Sequence, residues 1–227
     1  MAVQAGREEQ FEEEARVLSD DTTELGIIVS DIFKDAAAAL FDRNPDVAQH
    51  ALQAEQWSKQ MANHLRHESL SLLQRYVPNG DTQRRVVEMQ QFASEYVRMA
   101  EHAHTIAEHA LALSGSAEAA LAHIEQADPL LRTLIYQAFV EVRGSLIVCA
   151  SRDTTTARHV VEADADLTRT YLTFKALLEA AIRRDPQHAF PLHRLLFIAA
   201  RLHEIGSRAV AISNAVLFTP PQTTHHL

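Results

Sequence analysis

Along most of this chain apolar residues return at steps of three and four, the spacing that puts them on one face of an α-helix. That period predicts six long helices. The first runs from about Glu8 to Phe41, with Leu18, Leu25, Ile28, Val29, Ile32, Ala36 and Leu40 facing inward. Asp42-Arg43-Asn44-Pro45 breaks it; Asn44 suits a helix cap and Pro45 the first turn that follows. The second runs from about Pro45 to Tyr76, with Ala51, Leu52, Met61, Leu65, Leu72 and Leu73 in its core stripe, and ends in the turn Val77-Pro78-Asn79-Gly80-Asp81. The third covers about Thr82–Leu113 and stops at Ser114-Gly115-Ser116. The fourth covers about Ala117–Ser151, with a kink expected near Asp128-Pro129. The fifth, about Thr154–Arg184, opens on the capping residues Asp153-Thr154-Thr155-Thr156 and stops at Asp185-Pro186. The sixth runs from about Gln187 to Phe218, is stopped by Pro220-Pro221, and leaves the tail QTTHHL to fray.

Two of these helices read as copies. Arg85–Leu113 is RVVEMQQFASEYVRMAEHAHTIAEHALAL, and Leu192–Thr219 is LHRLLFIAARLHEIGSRAVAISNAVLFT. Phe92-Ala93 aligns with Ile198-Ala199, Met99 with Ile205, Ala103 with Ala209 and Ile106 with Ile212. The likeness extends backwards: AAAALFDRNPDVAQHAL matches SLIVCASRDTTTARHVV, with His50 over His159 and Leu52 over Val161. A repeat of this length means one structural unit built twice. Short turns force antiparallel neighbours, so each unit is expected to be a three-helix bundle. The expected fold is all-α: two tandem three-helix bundles related by the repeat, residues 1–114 and 115–227, with the boundary at Ser114-Gly115-Ser116.

Composition supports long helices and narrows the function. Gly (6) and Pro (7) are scarce in 227 residues, while Ala and Leu are abundant. The formal net charge of −9 argues against a general nucleic-acid surface, since Arg84-Arg85 and Arg183-Arg184 are isolated pairs. A basic partner or a mobile cation suits that balance better. The single cysteine, Cys149, lies in the apolar run LIVCA and reads as a small core residue. The N-terminus has no apolar signal core, and no uninterrupted apolar stretch reaches the roughly 20 residues that cross a bilayer. A cytoplasmic protein is expected, peripheral at most to a membrane complex.

No nucleophile elbow, Gly-rich phosphate loop, Cys-His pairing or C-x-x-C is present, so no enzyme is expected. Glu12-Glu13-Glu14 reads as a solvated first turn that favours the helix dipole, and Trp57, Met61, Met89 and Met99 read as packing residues. Gly144 and Gly206 are single glycines inside helices and allow close helix approach.

Four phrases resemble the PhoU family, the phosphate-uptake regulators that accompany the bacterial phosphate ABC transporter. The family's third helix carries a phrase like LERIGDHAVNIAE; here Tyr96–Glu108 reads YVRMAEHAHTIAE and Leu202–Asn214 reads LHEIGSRAVAISN. Glu24–Leu40, ELGIIVSDIFKDAAAAL, looks like the family's first helix, and His159–Tyr171, HVVEADADLTRTY, like its second. The resemblance covers roughly Leu18 to Phe218. It implies a non-enzymatic adaptor between the transporter ATPase and a sensor histidine kinase, repressing the phosphate-starvation response. A homodimer is compatible with it.

In the family, E/D-x-x-x-D pairs bind iron or zinc, because residues four apart on a helix share a face. Carried onto this chain, the pairs are Glu55 with Lys59, Val97 with Glu101, Asp164 with Thr168, and His203 with Ser207. Each has lost a carboxylate and one has lost both. Lys59 also puts a positive charge where a cation would sit. No resident metal or other cofactor is therefore expected; Glu55, Glu101, His104 and Asp164 are the residual weak candidates. Glu101-x-x-His104 has the spacing of one ferritin-like ligand pair, but that chemistry wants two such pairs and two further carboxylates. His102, His104 and His109 read as polar residues on an outward stripe, as do His64 and His67. Two alternatives stand beside the phosphate-regulator reading: a metal-binding bundle, and a divergent adaptor for another transporter.

Overall fold

The computed structural model describes residues 2–41, 45–76, 80–113, 117–122 and 124–218. Their regular elements are all helical: α1 (Ala2–Ala38), α2 (Pro45–Arg75), α3 (Gly80–Leu113), the short α4 (Ala117–Leu121), α5 (Ala127–Ser151), α6 (Thr154–Arg184) and α7 (Ala189–Phe218), with one 3-10 turn at Pro186–His188. The break at residues 42–44, the turn at 77–79, the boundary at 114–116 and the tail at 219–227 lie outside the described residues.

Helices α1, α2 and α3 pack on one another, and so do α5, α6 and α7. The two trios meet through α3 against α7 and α1 against α5. The residues aligned between the two sequence copies are buried alike: Phe92 and Ile198, Ala93 and Ala199, Met99 and Ile205, Ala103 and Ala209, Ile106 and Ile212. One cluster of buried apolar side chains includes residues of both trios, from Phe11 to Val216.

Three expectations need correction. The first helix starts at Ala2 rather than near Glu8, so Glu12-Glu13-Glu14 lies inside it and not in its first turn. Glu12 pairs with Arg85 of α3 at 3.0 Å and Glu14 with Arg75 of α2 at 2.5 Å, tying α1 to its neighbours, while Glu13 pairs with Arg16 at 2.6 Å. The fourth helical stretch is two helices, with the break ahead of Asp128-Pro129. Gln126 turns the chain there with φ 66°, and Pro129 sits in the first turn of α5, where its missing N–H removes no helix bond. Trp57 is half-exposed rather than packed, whereas Met89 and Met99 are buried.

The other ends follow local rules. Asp153 caps α6, its carboxylate accepting from the N–H groups of Thr155 and Thr156 at 3.1 and 3.0 Å. A bond from the Thr156 hydroxyl first, and then those backbone bonds, hold the Asp153 carboxyl below the usual carboxylate range. Among the described residues α5 is the one helix long and apolar enough to cross a bilayer; it packs against α1, α6 and α7 and carries Glu141 in its buried stripe.

Glycines set the closest approaches. A Cβ on Gly144 would lie 2.4 Å from Val160 Cγ2, and one on Gly206 would lie 2.2 Å from Leu167 Cδ2. Gly26, which the sequence reading did not single out, joins the trios: its Cβ would lie 2.6 Å from both Leu146 Cδ2 and Tyr96 Cζ. Tyr96 is fully buried and cannot swing away, and its hydroxyl donates to the Ser145 carbonyl at 3.3 Å. Gly26→Ala gains about 1 kcal/mol of helix propensity and costs about 1–3 kcal/mol of overpacking. The expected net result is a lower urea midpoint for Gly26→Ala. Gly6→Ala, whose Cβ meets nothing within 4 Å, is expected to show no loss. An unchanged Gly26→Ala midpoint would show that Tyr96 and Leu146 do not clamp this crossing.

Candidate functional site

Helices α2 and α3 bring Glu55, Lys59 and Glu101 together. Lys59 lies four residues after Glu55, one turn along the same face of α2. Its Nζ is 2.5 Å from Glu55 Oε1 and 3.1 Å from Glu101 Oε1 across the helix pair. Hydrogen bonds to Glu55, and next to Glu101, hold the ammonium above its usual pKa. The charge that meets these two carboxylates is thus a side chain of the protein. Val97, the partner position of Glu101, supplies no donor.

His104 does not join them. Its Nε2 is 3.6 Å from Glu108 Oε1, one turn further along α3, and its Nδ1 is buried without a hydrogen-bond partner. Glu101 and His104 therefore turn to different partners.

In the second trio Thr168 and His203, from α6 and α7, bond to each other: Oγ1 to Nε2 is 3.0 Å. The Tyr171 ring stacks on His203 with centroids 4.8 Å apart. Ser207 donates to the His203 carbonyl at 3.2 Å. Asp164 keeps Oδ1 buried and without a hydrogen-bond partner. Near it lies a residue the sequence reading missed, Glu141 of α5, which is 1% exposed. Both Glu141 carboxyl oxygens are buried and lack hydrogen-bond partners. A Cβ on Gly206 would lie 2.4 Å from Glu141 Oε2, so the bare α7 backbone makes room for the carboxyl. Burial first, and then the Asp164 charge, push the Glu141 carboxyl up to about 8. The available signal was one acid set in the apolar phrase AFVEVRGSLIV, beside the inward stripe of Ala138, Val142, Ser145 and Cys149.

These donors do not fit the iron or zinc clusters that the resemblance implies. Lys59 fills the space between the first pair of carboxylates, and the second trio offers a protonated glutamic acid and a histidine already bonded to threonine. Among the described residues no group of three or more His, Cys, Asp and Glu side chains is placed to hold a metal ion.

Two other histidines belong to the seam between the trios. Arg201 Nη1 donates to His102 Nδ1 at 3.4 Å, and Arg194 Nη1 to His109 Nδ1 at 3.0 Å. Phe197 stacks on His109 with centroids 5.3 Å apart. Burial, and then those arginines, hold both imidazoles below the usual histidine range. Cys149 is buried, and burial raises its thiol.

Residues 22–110 match the family model of the PhoU domain. The chain is 23% identical over 210 residues to the phosphate-specific transport system accessory protein PhoU homolog of Pseudomonas putida, covering 92% of this chain and 80% of that protein. It is 22% identical to the homolog of the same description from Pseudomonas aeruginosa, covering 92% and 85%. Among solved structures, PhoU from Pseudomonas aeruginosa aligns with a TM-score of 0.85 at 21% identity, over 92% of this chain and 97% of that one. The phosphate transport system regulatory protein PhoU from Streptococcus pneumoniae aligns at 0.79 and 16% identity, over 92% and 95%.

The Glu141 carboxyl gives a pH dependence with a definite sign. Its pKa is about 8 when folded against the usual 4.5, so the folded chain keeps a proton that the unfolded chain releases. Stability is fully present below pH 4.5, falls as pH rises to about 8, and levels off above. Glu141→Gln keeps the neutral shape and removes the titration. Thermal unfolding is expected to show the variant exceeding the parent at pH 8 by at least about 1.4 kcal/mol, one pKa unit's worth, with the gap closing towards pH 5. A gap that does not depend on pH would place the Glu141 proton elsewhere.

Proposed function

We propose that the chain is a member of the PhoU family and a non-enzymatic regulator of phosphate uptake. It acts in the cytoplasm as an adaptor between the phosphate ABC-transporter ATPase and a sensor histidine kinase, and it represses the phosphate-starvation response. The observation that carries this reading is the extent of the likeness. About nine-tenths of the chain aligns in sequence with proteins described as phosphate-specific transport system accessory proteins, and in fold with solved PhoU structures.

The surface chemistry supports docking rather than catalysis. Tyr136, Val140 and Ile147 of α5 are about half-exposed or more, and lie within about 40° of one another around the helix axis. Such a stripe of large apolar side chains suits contact with another protein. The metal-binding alternative is the weaker reading because Lys59 stands between Glu55 and Glu101. The function proposed here needs no resident metal.

Capture of tagged protein from phosphate-replete cells tests the reading. The transporter ATPase and the kinase are expected to be retained; loss of both under conditions that preserve such complexes overturns it. Tyr136→Asp with Ile147→Asp is expected to weaken ATPase capture by about tenfold or more, or 1.4 kcal/mol, with the circular dichroism unchanged. A double variant that captures partners as the parent does would move the docking face off α5.

A further inference from the structure

Facing stripes of α2 and α3 enclose an open groove of about 510 Å³ beside the Glu55–Lys59–Glu101 contact. Three cations line it: Lys59 and Arg66 from α2, Arg98 from α3. Glu101 is the one carboxylate in the lining, and Lys59 is bonded to it at 3.1 Å. Arg66 donates from Nη2 to Asn63 Oδ1 at 2.7 Å, and among the described residues no carboxylate pairs with it. Arg98 is only loosely held, with Nη1 3.8 Å from Glu95 Oε1, and Glu95 is shared with Arg208 of α7 at 3.5 Å.

Donors outnumber acceptors in this groove. Gln90, in the lining of α3, has its Nε2 amide buried and without a hydrogen-bond partner. Ser94 Oγ donates to the Gln90 carbonyl at 2.9 Å and keeps lone pairs for a protonated oxygen. Guanidinium groups present forks of N–H donors that match oxyanions, and an unpartnered buried donor is costly to leave unmet. The face that the resemblance assigns to cations therefore carries the opposite chemistry here.

We propose that the α2–α3 groove binds a tetrahedral oxyanion, with orthophosphate as the ion, held by Arg66 and Arg98 and by the Gln90 amide. Lys59 stays with its carboxylates and keeps Glu101 from repelling the anion. The oxyanion chemistry stands on the groove alone; the choice of orthophosphate rests on the regulatory role proposed above.

Titration calorimetry of the intact protein with orthophosphate, at fixed low ionic strength, tests this. One saturable site per chain is expected. Arg66→Gln with Arg98→Gln is expected to weaken binding by tenfold or more, with helical content unchanged. Arg169→Gln, an exposed change on α6, is expected to bind as the parent does. No saturable binding at millimolar anion, or a double variant that binds like the parent, overturns the site. Sulfate is titrated in parallel: equal affinity upholds the oxyanion site and removes its preference for phosphate. Failure here leaves capture of the transporter ATPase and kinase untouched, so the two readings fall separately.

Discussion

The contact between α3 and α7 organises the molecule. Within the first trio α1 and α2 both pack on α3; within the second α5 and α6 both pack on α7; and α3 packs on α7. The seam is apolar at its centre and polar at its margins, where Arg201 and Arg194 of α7 donate to His102 and His109 of α3. An imidazole can accept such a bond only when neutral, and burial beside a guanidinium favours that form. The seam thus joins the trios partly through imidazoles whose pKa is held down by burial and the neighbouring arginines, and Arg208 adds a contact to Glu95 across it.

Each trio must also settle the charge of acids on facing helices, and the two do so differently. In the first, two carboxylates share the ammonium of Lys59. In the second, Glu141 keeps its own proton beside Asp164. A divalent ion is the third solution to the same electrostatic problem, and it needs ionised ligands facing an open position. An ammonium on a tether and a proton on a buried acid each close that position with a charge of +1. The ammonium of Lys59 and the proton of Glu141 are thus two ways of relieving repulsion between acids on facing helices.

The fold was legible because its signal is redundant. Leu18, Leu25, Val29, Ile32 and Ala36 repeat the helical step over many turns of α1, and all are buried. The two copies of the third-helix phrase marked the pair of helices that meet in the seam. Lys59 was legible for the same reason: a four-residue spacing fixes a shared face, whatever the tertiary contacts. Glu141 was not, because its burial depends on Gly206 of a helix more than sixty residues away, which no local pattern encodes. Nor was the groove, since Arg66 and Arg98 line one groove only when α2 and α3 pack together. The start of α1 was misplaced because the segment ahead of Glu8 is too short and too poor in large apolar residues to show a period; Arg7 there donates to the Arg75 carbonyl at 3.3 Å.

The groove and the α5 stripe lie on different trios, so a ligand in one can influence the other only through the contacts that join them. Two such routes exist: α3 to α7 and then α5, and α1 directly to α5 around Gly26, Tyr96 and Leu146. Both are tight, and Gly26 leaves no slack for a sliding helix. Close-packed seams shift between discrete arrangements rather than deforming continuously. Coupling between an anion in the groove and a partner on α5 would require a second arrangement of this seam, to which both bind with a different affinity. It would also run both ways: a partner held more tightly in the presence of the anion must, by the same factor, tighten the anion. An acidic protein with a local basic groove is suited to that reciprocity. Its overall charge of −9 disfavours stray anions, while Arg66 and Arg98 would give the proposed groove a local preference for an oxyanion.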